Sequence, residues 1–135
     1  MRVFRATNKL VVRMLKDKLL DEVLDYESKE SYMAHLEAML LEQPDNICII
    51  VGVAGDLIVS YAIAFRHESY NHVYLDSCWT DPQYHKISKH VLNHLKLWAS
   101  SQGLTEIRAE TKRKETRALE RYGFKEFSRI ISLRF

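Results

Sequence analysis

Two cysteines in 135 residues, Cys48 and Cys78, are too few for a disulfide framework. Both stand in strand-like runs, where a free thiol behaves as a small apolar side chain. No apolar run approaches the roughly 20 residues that cross a bilayer, which excludes a membrane-spanning helix. The start, Met1-Arg2-Val3-Phe4-Arg5-Ala6, returns to charge at once and has no continuous apolar stretch of signal-peptide type. The reading is therefore a cytoplasmic protein. There is no internal repeat, low-complexity tract or long linker. Metal-ligand spacing is missing too: His90 and His94 sit four apart in a helical pattern with no third ligand in a recognisable position, so they read as a histidine face.

A hydrophobic share of 47% is too high for disorder, and the length suits one globular domain spanning residues 1–135. The area scaling law gives roughly 7,300 Å² folded against about 23,000 Å² unfolded, enough for a real core. The net charge of only +2 conceals an asymmetry: residues 1–80 carry 8 basic and 12 acidic groups, residues 81–135 carry 12 and 6. An anionic ligand would favour the second part. Lys112-Arg113-Lys114 resembles a nucleic-acid patch in charge alone, because no aromatic interleaving accompanies it.

The periodicity predicts Thr7 and Asn8 as caps of a helix starting near Leu10, and a second helix over Lys29 to Glu42 from Tyr32, Leu36, Met39 and Leu40. Ile47 to Val51 and Leu57 to Phe65, joined at Ala54-Gly55-Asp56, read as a β-hairpin, and His72 to Trp79 as a third strand of an antiparallel meander. Ile87, Val91, Leu92, Leu95 and Trp98 mark one face of a helix that stops at Gly103. Leu104 to Thr111 reads as a strand, Lys114 to Tyr122 as a short helix, and Phe124 to Phe135 as strand-rich. The result is an α/β (α+β) domain whose mixed sheet is covered by helices. Such folds place ligands where a strand hands over to a helix start, here after Trp79. Thr80 to His90 supply open amides at that start, with Lys86, Lys89 and the Ser88 hydroxyl beside them, an arrangement suited to phosphate.

From Ile47 to Phe135 the order of elements, with the strings Tyr74-Leu75-Asp76-Ser77-Cys78-Trp79, Leu97-Trp98-Ala99 before Gly103, and Tyr122-Gly123-Phe124, resembles the GNAT superfamily of acetyl-CoA-dependent N-acetyltransferases. The resemblance implies a mostly antiparallel GNAT-like sheet and a Gln/Arg-x-x-Gly-x-Gly/Ala loop around the diphosphate of coenzyme A. Counting back from Trp98-Ala99 places that loop on Gln83, Tyr84, His85, Lys86, Ile87 and Ser88, with Lys86 and Ser88 where the glycines belong; counting from Pro82 puts His85 at a position where Arg is frequent. The pantetheine arm would lie on the backbone of Cys78 and Trp79, which polarises the thioester carbonyl. Asp76, six residues before Pro82, is the candidate base, near where relatives carry a Glu; in a half-buried strand its carboxyl would titrate high.

Family members often place a Tyr proton donor four residues before the Gly-Phe pair, and Leu119 occupies that position here. Tyr122 is the candidate donor instead, about 300° further round a helix, and Tyr84 is a second phenol near the loop. By period-2 alternation Asp76 shares a face with Tyr74 and Cys78. The implied activity is acetyl transfer from acetyl-CoA to a primary amine of a small molecule or protein, without metal. The alternative is a catalytically silent GNAT-like binding module. A third and weaker reading is an RNA- or DNA-associated protein that uses the basic second part; no membrane partner is expected, and a homodimer stays open.

Overall fold

The computed structural model describes residues 1–19, 28–110, 125–127 and 130–135. Asn8 starts helix α1 (Lys9–Leu15) by accepting the Leu10 amide at 2.8 Å, which satisfies a donor that a helix start leaves open. One 3-10 turn, Lys16–Lys18, follows. Ser28 does the same for α2 (Lys29–Glu42) through the Ser31 amide at 3.1 Å.

Among the described residues seven strands form one sheet: β1 (Arg2–Ala6), β2 (Ile47–Ala54), β3 (Leu57–Arg66), β4 (Val73–Thr80), β5 (Glu106–Glu110), β6 (Lys125–Phe127) and β7 (Ile130–Arg134). Their order is β1-β2-β3-β4-β5-β7-β6. Neighbours are antiparallel throughout except β4 and β5, which are parallel. A parallel pair needs a crossover, and helix α3 (Ile87–Ser101) supplies it. The expected meander and long helices are therefore present; the strand-rich end is split into β6 and β7. The helix expected over 114–122, with Leu119 and Tyr122, lies outside the described residues.

The central strands are buried on both faces. Cys48 and Ile50 of β2 pack with Val91, Leu95 and Trp98 of α3, while Ile47, Ile49 and Val51 pack with Leu15 of α1 and Tyr32 and Leu36 of α2. Full burial of each such Leu or Ile contributes about 1.5–3 kcal/mol. Gly52 decides how closely α3 approaches: a Cβ there would stand 2.7 Å from Ile87 Cδ1 and 3.3 Å from Ser60 Cβ. The first residue of α3 thus seats its side chain over a glycine of β2. At the other end Gly103, with φ +76, closes the helix, and the Leu104 amide reaches Ala99 O at 3.0 Å.

Candidate functional site

The ladder between β4 and β5 is short. Val73, Tyr74 and Leu75 pair with Ile107, Arg108 and Ala109; β5 ends at Glu110, the last described residue before 125, and β4 runs on to Thr80. A bulge sits at the same point: Ala64 faces Leu75 and Ile63 faces Ser77, which leaves Asp76 as the extra residue. An extra residue bends its strand and sharpens the twist. From Asp76 to Thr80, β4 has no partner strand on its β5 side among the described residues.

The bulge also removes Cys78 from the face expected to hold Tyr74, Asp76 and Cys78 together. Inserting one residue reverses the alternation beyond it. Cys78 faces Ala62 and packs toward α3, whereas Tyr74 faces Phe65 on the α1–α2 side. Asp76 turns to that second side, where its Oδ2 accepts a 2.6 Å hydrogen bond from the phenol of Tyr32. Tyr32 itself is completely buried. Next to them the Tyr61 and Ser77 hydroxyls lie 3.1 Å apart, also buried. Trp79 is half-buried on this side, its ring 6.2 Å from that of Tyr61 and covered by the Lys18 ammonium at 5.5 Å.

Beyond β4, Asp81 organises the turn. Its side chain accepts the Gln83 amide at 2.9 Å and its carbonyl accepts the Tyr84 amide at 2.8 Å. The Ser88 hydroxyl donates to the His85 carbonyl at 2.6 Å, and the Ser88 amide lies 3.3 Å from the same oxygen. Of the six loop positions singled out by sequence, Gln83, Tyr84 and Ser88 therefore have amides engaged within the loop. The amides of His85, Lys86 and Ile87 have no backbone acceptor among the described residues, and they open the dipole-positive end of α3.

His85 and Lys86 have φ of −52 and −67. This is ordinary right-handed backbone, so the Lys in place of a glycine takes its conformation without strain. Lys86 is exposed.

Two further groups are structural. Burial pushes the Cys48 thiol up to about 12 despite the opposing charge of Arg5, which marks it as inert core. Glu106, 7% exposed, is pulled two ways: burial raises its pKa, but hydrogen bonds from Arg134, Ser132 and Arg108 lower it more, to about 2. Among the described residues no three metal-ligating side chains cluster, and no helix is long and apolar enough to cross a membrane.

The sequence matches the model of the acetyltransferase (GNAT) family over residues 12–124. The chain belongs to this GNAT family. No curated protein matches by sequence. Solved structures share the fold at low identity. An aminoglycoside 6'-N-acetyltransferase complexed with coenzyme A has a TM-score of 0.78 at 14% identity, covering 99% of this chain and 97% of that one. The aminoglycoside 6'-N-acetyltransferase from Enterococcus faecium has a TM-score of 0.74 at 14% identity, with the same coverage of 99% and 97%. The PaiA N-acetyltransferase from Thermoplasma acidophilum, in complex with coenzyme A, has a TM-score of 0.70 at 15% identity and 100% coverage of both chains.

GNAT enzymes use acetyl-CoA, and the residues present fit it. Three amides at the start of α3 without a backbone acceptor suit a diphosphate, Lys86 and Lys89 would add charge there, and the β4 backbone beyond Leu75 would hold the arm. Tyr32 and Lys18 were not singled out as site residues by sequence. A tyrosine in the buried stripe of α2 was the available signal, because a buried phenol requires a hydrogen-bond partner.

Proposed function

We propose that this GNAT chain is an N-acetyltransferase that moves the acetyl group of acetyl-CoA to a primary amine. One observation carries the reading: the end of the β4–β5 ladder and the open amides of His85, Lys86 and Ile87 are joined by one run of β4 backbone. From Thr80 back to Asp76 that run is on the order of 13 Å, the scale of the arm between diphosphate and thioester.

In this reading the diphosphate rests on the three amides, with Lys86 and Lys89 adding charge and the Gln83–Ser88 turn holding the amides in place. The backbone of Cys78 and Trp79 orients the thioester and stabilises the charge developing on its oxygen. A neutral amine attacks the carbonyl carbon, the new C–N bond forms, and the C–S bond breaks to release the thiolate of coenzyme A. The proton lost by the amine passes to Asp76, directly or through water. The thiolate takes a proton from Tyr122, the donor proposed from sequence. The acceptor enters from the α1–α2 side, where Asp76, Trp79 and Lys18 meet.

The test is release of coenzyme A thiol from acetyl-CoA with a panel of primary amines, and identification of the acetylated product by mass. Turnover is expected for at least one amine, with Asp76→Asn reducing it by about 100-fold or more. Saturable acetyl-CoA binding with no turnover of any amine would leave the silent-module alternative.

A further inference from the structure

We propose that Tyr32 is a positioning residue for the reaction, holding the Asp76 carboxylate at the acceptor side of the slot; this rests on the acetyl-transfer reading above. The bulge leaves Asp76 without a ladder partner on β3, so the strand alone fixes its direction poorly. A phenol from a different element adds a constraint on its carboxylate. Tyr32 is 0% exposed, its ring is locked in the core beneath α2, and its hydroxyl meets Asp76 Oδ2 at 2.6 Å. A short bond of this kind, with an ionised acceptor, is among the stronger ones. It joins α2, which covers the acceptor side, to the strand that carries the base.

Lys18 lies over Trp79, His35 packs on Phe65 from α2, Tyr61 bonds Ser77 on β3, and Arg108 of β5 pairs with Tyr74. These are charged and titratable groups on the neighbouring elements among the described residues. The Tyr32 hydroxyl donates directly to the Asp76 carboxylate. A donor to the ionised oxygen favours the ionised form, so its removal moves the titration of Asp76 upward.

The experiment uses the full chain as wild type, Tyr32→Phe and Asp76→Asn. Carbon-13 NMR of the aspartate carboxyls follows Asp76 through a pH titration, with the signal assigned by its loss in Asp76→Asn. Coenzyme A thiol release is followed in parallel, with spermidine and kanamycin as probe amines and water as the default acceptor. In Tyr32→Phe the Asp76 midpoint is expected to rise by about one pH unit. The rate constant is expected to fall about tenfold, with the KM for acetyl-CoA unchanged. Phe keeps the buried ring, and a thermal melt verifies the fold.

An Asp76 titration identical in wild type and Tyr32→Phe overturns the proposal, whatever the rates. A shifted titration with an unshifted rate and pH profile overturns it as well, because the bond would then be structural only. Full turnover by Asp76→Asn instead removes the base assignment itself. If no acceptor is turned over above the uncatalysed rate while acetyl-CoA is bound, the acetyl-transfer reading fails and takes the catalytic role of Tyr32 with it.

Discussion

Glu106 illustrates how a single carboxylate contributes to stability in a pH-dependent way. Its pKa is lowered from an ordinary 4.5 to about 2, so the folded state gains from its ionisation above about pH 4.5. That gain is lost as the pH falls from there through about 2. Arg134 is largely exposed and its share is screened by solvent, which leaves a contribution of roughly 2 kcal/mol. Glu106→Gln is expected to lower the melting temperature at pH 7 and to flatten its fall between pH 4.5 and 2. Thermal melts across that range check this.

The two cysteines separate at the same scale. Cys48 is completely buried with its thiol at about 12, and Cys78 is half-buried at the slot. At pH 8 iodoacetamide is expected to modify the native protein at Cys78 only, with Cys48 reacting once denaturant is added. Peptide mass mapping reads the outcome.

At the scale of elements, the seat of α3 on β2 is the feature most open to test. Gly52→Ala places a methyl 2.7 Å from Ile87 Cδ1, and the expected loss is about 1–3 kcal/mol. Ile87→Ala removes the obstacle, so the double variant is expected to be less destabilised than the sum of the single ones. Denaturant titrations of the four proteins measure the coupling.

Most elements were legible because their signals are local: the cap Asn8, the apolar stripe of α2, the β-branched runs of β2 and β3, the turn at Gly55, the apolar face of α3. The bulge at Asp76 was not, because it is fixed by pairing with β3 across the sheet. Once it was missed, Cys78 was assigned to the wrong face and the tie between Tyr32 and Asp76 had no sequence signature. The loop was half legible: its position follows from the family pattern. Which amides stay open depends on how Asp81 and His85 fold back on Gln83, Tyr84 and Ser88.

For the molecule as a whole, the basic second part and the acidic first part divide along the proposed chemistry. In the proposed reaction the start of α3 would offer amides and lysines to an anionic cosubstrate, and the α1–α2 side would present Asp76 to an amine. Binding of acetyl-CoA is accordingly expected to weaken with added salt, since Lys86 and Lys89 act from the surface. Lys86→Glu is expected to weaken it further without changing the melting temperature. The central claim is that the β4 backbone beyond Leu75 and the three open amides form a working cosubstrate site, and calorimetric titration with acetyl-CoA tests it most directly. The expected result is saturable binding of one acetyl-CoA per chain, with Kd on the order of 1–100 μM. The absence of heat at high-micromolar acetyl-CoA, with the protein folded, would contradict it.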